Sequence, residues 1–248
     1  MHMNFFKRFL PIILIVSIIG CESKFESAKD VITAMHEKWH NKWQKSVQCD
    51  QNILFFNADT IVKESHWKQL IIAPDFMQIR YDSFESGNGS LYRNDSVYDF
   101  RNGELVNARS FVHYILLLTT SIYFNDEKES LYKLKDFGID LTKIHETTWN
   151  NEEVVIIGST DITDMTVSQV WIQKENLYVL RTILIVDDKI QDTEFSNYTE
   201  TNNYFVPTKI VFKSNGIKFI EIHNSNIQFP EHVDISYFHI NNFSLKEW

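Results

Sequence analysis

From Cys49 onward the chain is broken into short strand-like runs by turn residues, and this punctuation limits the fold more than any other feature. Asn102-Gly103 and Asn215-Gly216 are two-residue hairpin signals, because both central positions of a type I′ turn take positive φ. Pro74-Asp75, Asn94-Asp95 and Asn150-Asn151 supply further turns. Between them the first half reads as strands over 51–57, 62–72, 76–81, 90–93 and 96–101. The second half continues with 144–149, 152–157, 167–173, 178–186, 189–200, 205–213 and 217–229. Tight turns join antiparallel neighbours, whereas parallel pairs need long crossovers. These twelve runs, with few true loops between them, are read as about ten or eleven strands and predict one continuous antiparallel sheet in a mainly β (α+β) chain. Apolar residues make up 44% and aromatics 14%, enough for a sizeable core. No repeat, linker or low-complexity block divides residues 27–248, which read as a single domain.

Two stretches interrupt the strand pattern. Ser27 followed by Asp30 three residues on is a helix start, with Ser27 as N-cap. Ala28, Ile32, Met35, Trp39 and Trp43 then recur at spacings of four and three, predicting an amphipathic helix of about 18 residues. The second stretch, 110–124, is apolar on nearly every face. Phe111, Ile115, Leu118 and Ile122 form a helical stripe, while Val112, Leu116, Leu117 and Tyr123 fall outside it. Such a helix is buried or faces lipid, so this mid-chain insert reads either as a lid or as a core helix. Asn125 is placed to cap a further helix over 126–136, which ends before Gly138 at a position suited to a left-handed cap.

The amino terminus carries an address. Lys7 and Arg8 precede an apolar run over 9–19, and Ile18-Ile19-Gly20-Cys21 closes it. A basic head, a short apolar core and a small residue describe a signal peptide over 1–20. The run is shorter than the roughly 20 residues a membrane span needs. Its ending resembles the bacterial lipobox. That resemblance implies cleavage before Cys21, a diacylglyceryl group on its thiol, and a tether over 21–26. It implies a lipid-anchored place in the bacterial cell envelope; the outer membrane, facing the periplasm, is the expected location, though the sequence does not decide membrane or leaflet. Two or three acyl chains anchor a protein stably where one does not.

Charge and cysteine usage exclude several partners. The formal charge is −9, and the 22 bases and 33 acids after residue 20 leave −11. Phosphate binding needs clustered Lys and Arg, so neither nucleic acid nor anionic lipid head groups are expected partners. With Cys21 lipidated, Cys49 stands alone, forms no internal disulfide, and reads as a small buried residue.

One motif competes for an enzymatic reading. His36-Glu37-Lys38-Trp39-His40 matches H-E-x-x-H, which on a helix sets two imidazoles one turn apart for zinc with Glu as base. Lys38 would put a cation beside the metal, and the polar, basic run Asn41-Lys42-Trp43-Gln44-Lys45 supplies no third ligand. The histidines are read as flanking a packed stripe, with no metal and no cofactor. Gly87-Asn88-Gly89 lacks the third glycine and the following helix of a phosphate loop, and no G-x-S-x-G or paired-cysteine motif occurs.

The order of elements (an N-terminal amphipathic helix, a meander, a helical insert and a second meander) resembles the LolA/LolB-like family of lipoprotein carriers, receptors and lipid-binding envelope proteins. The resemblance implies a strongly curved sheet forming a half-open barrel, with the helices on its concave, apolar side. A curved sheet too large to fill itself leaves an apolar cavity, and burying acyl chains there gives about 25 cal/mol per Å². Candidate lining residues are Trp39, Trp43, Trp67, Phe111, Ile115, Leu118 and Trp171. The expected function is non-enzymatic: a membrane-tethered lipoprotein holding an acyl chain or another hydrophobic ligand, in lipid or lipoprotein handling. The alternatives are a scaffold or accessory lipoprotein with a filled cavity and an envelope protein partner, and a zinc hydrolase built on 36–40.

Overall fold

The computed structural model describes residues 24–201, 204–245 and 247–248, so the signal peptide and Cys21 lie outside the described residues. Among the described residues, thirteen strands build one open antiparallel sheet, against the ten or eleven expected. They are β1 (Ser46–Asn57), β2 (Thr60–Ile72), β3 (Phe76–Tyr81), β4 (Gly89–Arg93), β5 (Ser96–Arg101), β6 (Glu104–Ser110) and β7 (Ile144–Trp149). The remainder are β8 (Glu152–Ile157), β9 (Gln169–Gln173), β10 (Val179–Val186), β11 (Lys189–Thr201), β12 (Tyr204–Ser214) and β13 (Ile217–Gln228). The strand count departs from expectation most clearly at β6, an edge strand exposed along its whole length that offers no apolar alternation to read.

The spatial order is β6-β5-β4-β3-β2-β1-β13-β12-β11-β10-β9-β8-β7. Two meanders are thus joined where β1 meets β13, with Ile53 opposite Ile222 and Gln51 opposite Asn224. The hairpins form where the turn chemistry requires them: Asn102 and Gly103 take φ of 50° and 85°, and Asn215 and Gly216 take 47° and 80°.

The helices differ in extent from the sequence reading. The helix α1 (Ala28–Trp39) begins at Ser27, whose hydroxyl accepts from the Asp30 N–H, but it has 12 residues and stops before Trp43. Asn41 adopts φ of 62°, which ends the helix, and Trp43 folds back as the Trp39 carbonyl accepts its N–H. The insert is not one long helix. Ser110 closes β6, α2 covers Tyr114–Thr119, and a 3-10 turn covers Ser121–Tyr123. The cap of α3 (Glu127–Asp136) is Asp126, not Asn125; its carboxylate accepts the Glu129 N–H at 2.7 Å. Aspartate also places its charge at the helix end that favours an anion.

Laid flat, thirteen strands would span roughly 60 Å. Instead Ile53 of β1, Ile222 of β13, Val154 of β8 and Trp171 of β9 belong to one buried cluster with Val31, Ile32 and Met35 of α1 and Leu134 of α3. The sheet therefore wraps around its helices. A smaller cluster lies on the outer face of β2–β5, where Leu70, Leu91 and Phe100 are covered by Phe238 and Phe243 of the C-terminal tail. Phe100 and Phe243 stack at 3.9 Å. This tail explains why strands in that half carry apolar residues on both faces.

Candidate ligand-binding hollow

Side chains alternate across a strand, so register decides what faces the concave side. On β1 these are Val47, Cys49 and Gln51, paired with Ile71, Gln69 and Trp67 of β2. The same rows continue to Met77, Ile79 and Tyr81 of β3. On the other flank, Ile222 and Ile220 of β13 meet Ile210 and Phe212 of β12. One short helix, α2, covers these rows with Ile115, Leu116 and Thr119, and a hollow of about 280 Å³ remains between helix and sheet. That volume lies near the lower end of small-molecule pockets, roughly 300–1,000 Å³.

Among the described residues, no Asp, Glu, Lys or Arg lines the hollow. His113, the N-cap of α2, accepts the Leu116 N–H on Nδ1 at 3.2 Å. Burial pushes its pKa down to about 4, so the imidazole is neutral at pH 7. Beside the hydroxyls of Thr119, Thr120 and the tyrosines, the polar lining holds amides: Gln51 Nε2 donates to Asn224 Oδ1 at 2.9 Å, and Asn224 Nδ2 donates to the Pro207 carbonyl at 2.8 Å. Gln69 Nε2 lies 3.2 Å from Met77 Sδ. Burial, and then the neighbouring Asp50 charge, push the Cys49 thiol up to about 12, which makes it a small apolar wall group and not a nucleophile. The hollow can solvate hydrocarbon and neutral hydrogen-bonding groups; it offers nothing to a buried charge.

Of the lining residues expected from sequence, Trp67 and Ile115 border this hollow. Trp39 and Trp43 sit behind its wall. Trp39 lies edge-on to Phe205 at 5.6 Å and donates Nε1–H to the Asn176 carbonyl. Trp43 stacks on Tyr123 at 4.0 Å and donates to the Thr119 carbonyl. Leu118 points from α2 toward the α1 cluster, away from the hollow. Phe111 precedes α2 and is 37% exposed, 6.1 Å from the Tyr92 ring. Trp171 is core: it packs against Trp149, and the Arg181 guanidinium lies 4.8 Å over its ring.

The polar lining was not foreseen. Its signal was present in β1, where Gln51 occupies an inward position between Cys49 and Ile53 in an otherwise apolar alternation. The His36 and His40 rings lie 4.2 Å apart, tilted by 31°, and among the described residues no group of three His, Cys, Asp or Glu side chains is placed to hold a metal.

No protein-family model matches this chain, and no curated protein matches it. Solved structures do. A DUF1329 family protein from Desulfovibrio piger ATCC 29098 aligns with a TM-score of 0.57 at 13% identity, over 85% of this chain and 95% of that one. A LolA superfamily protein from Nitrosomonas europaea aligns with a TM-score of 0.57 at 11% identity, over 86% and 97%. A putative outer membrane lipoprotein-sorting protein domain from Vibrio parahaemolyticus gives 0.54 at 13% identity, over 87% and 97%. At these identities the likeness is one of fold: the chain has the wrapped, open antiparallel sheet of the LolA superfamily.

Proposed function

We propose that this chain is a non-enzymatic envelope lipoprotein, tethered by lipidated Cys21, that holds an acyl chain or similar apolar ligand between α2 and the concave face. The observation that carries this reading is the unfilled, charge-free hollow of about 280 Å³ bordered by Trp67, Ile79, Ile115, Ile210 and Ile222. Covering hydrocarbon there contributes about 0.8 kcal/mol per buried methylene. The fold shared with a lipoprotein-sorting domain supports the same reading, and with it an outer-membrane, periplasm-facing location. The test is uptake of an apolar fluorescent dye by the chain from Glu22 onward, which contains every described element. Saturable uptake at about one dye per chain, displaced by long-chain lipid, is expected.

A scaffold role with an envelope protein partner is the second reading, and an empty hollow that takes up no dye would favour it. A zinc hydrolase on His36 and His40 is the least supported, since two imidazoles are one ligand short of a catalytic site.

A further inference from the structure

The hollow does not end at Trp67 and Tyr81. Both residues also border a second, open groove of about 710 Å³ that continues along the concave face toward β6. The register explains the change in character. The inward row runs from Trp67 to Tyr81 on β3, and the Tyr81 hydroxyl lies 2.8 Å from Ser90 Oγ on β4. Ser90 faces Asp99 on β5, and Asp99 faces Asn107 on β6. A single face thus passes from hydrocarbon to a ladder of hydrogen-bonding groups across five strands.

The ladder has a sense. Trp67 Nε1 donates to Ser65 Oγ at 2.9 Å, and Ser65 Oγ donates to Asp82 Oδ1 at 2.8 Å. Ser90 Oγ donates to Asp99 Oδ1 at 2.8 Å, and Asn107 Nδ2 donates to Asp99 Oδ2 at 3.0 Å. The hydroxyl and indole donors of the ladder are spent within it, and the chain of bonds terminates on carboxylates, each oxygen of which can accept more than one hydrogen bond. Among the lining residues charge is balanced, with Lys63 and Arg101 accompanying Asp82 and Asp99, and Arg109 Nη1 on β6 lies 3.9 Å from Asp99 Oδ2.

We propose that the ligand is a neutral amphiphile, its chain in the hollow and a head group rich in hydroxyl or amide N–H donors on the Ser90–Asp99–Asn107 ladder. This inference rests on the apolar-ligand reading above. A head without donors leaves only the spare lone pairs of these carboxylates unmet once water is displaced, and a head carrying net charge meets no net opposite charge among the groove's lining residues.

The experiment is displacement of the apolar dye from the chain starting at Glu22 by four dodecyl compounds below their micelle concentrations: glucoside, methyl ether, phosphate and trimethylammonium. The glucoside is expected to bind about tenfold more tightly than the other three, the size of one good hydrogen bond to a charged acceptor. Asp99→Ala should erase that preference while dye uptake stays intact, which also reports that the hollow still folds. Asp82→Asn, which tolerates the φ of 63° at that position, should weaken the preference independently. Equal affinity across the series, tighter binding of a charged member, or a preference unmoved by Asp99→Ala would overturn the inference and leave the apolar-ligand reading standing. Failure of the dye and of all four compounds to bind would instead remove the apolar-ligand reading itself.

Discussion

Trp67 and Tyr81 face each other across β2 and β3 with ring centroids 4.6 Å apart, and this pair stands where the apolar hollow meets the polar groove. Their placement follows from antiparallel register alone, since residue 67 opposes residue 81. On one side of the pair lie Ile71, Met77 and Ile79; on the other lie Ser65, Asp82 and Ser90. A ligand that uses both sides has to be amphipathic.

Filling the hollow should abolish uptake without destroying the fold. Cys49 is inward on β1 and 2% exposed, so Cys49→Phe directs a ring into the space between β1 and α2. Overpacking is expected to cost about 1–3 kcal/mol, measured by urea denaturation, while dye uptake is lost. Full uptake by a folded Cys49→Phe protein would mean that the ligand lies elsewhere.

Acid should weaken the protein through His113. Its folded pKa of about 4 lies below the ordinary 6.5, so between those values the unfolded chain binds a proton that the folded one refuses. Stability is therefore complete above about pH 6.5 and declines as pH falls toward 4. His113→Asn keeps an N-cap acceptor for the Leu116 N–H and removes the titration. Denaturation midpoints across pH 4 to 7 should fall less steeply in this variant than in the parent.

The Arg181–Asp192 pair should prove structural. Arg181 Nε and Nη2 reach Asp192 at 2.8 and 2.9 Å, with the Asp192 side chain 4% exposed. Removing one partner of a buried pair leaves a desolvated charge, so Asp192→Ala should cost about 3 kcal/mol. Because this pair holds Trp171 in the core and not at the hollow, the affinity of the surviving folded protein for dye should be unchanged.

Cys21 lies outside the described residues, and the lipid tether proposed there is tested by Cys21→Ser. In cells fed a labelled fatty acid, the parent should incorporate label and sediment with membranes. The variant should lose the label and remain uncleaved. Equal labelling of both would contradict the tether.

Much of the fold could be read from local chemistry, because the signals that form it are local. Asn102-Gly103 and Asn215-Gly216 specify hairpins through φ alone, and Ser27 caps α1 through one hydroxyl. What escaped reading depends on tertiary partners. The edge strand β6 has no buried face to betray it. The run 110–124 reads as one helix because its apolar residues fall on nearly every helical face; the need to end a strand and then cap α2 with His113 divides it. The hollow was harder still. Large aromatics were its natural candidates, yet Trp39, Trp43 and Trp171 found packing partners of their own, and the wall fell to β-branched residues and the amides of Gln51, Gln69 and Asn224. Pairing of β1 with β13, about 170 residues apart in sequence, brings those amides together, and no short window contains that information.

The most direct test is what the protein carries when it leaves the cell. The chain from Glu22 onward, expressed in the periplasm and purified without detergent, should release about one equivalent of a neutral, long-chain amphiphile on extraction, identified by mass spectrometry, and Cys49→Phe should release none. A parent protein that emerges empty and takes up no apolar compound in solution would contradict the account.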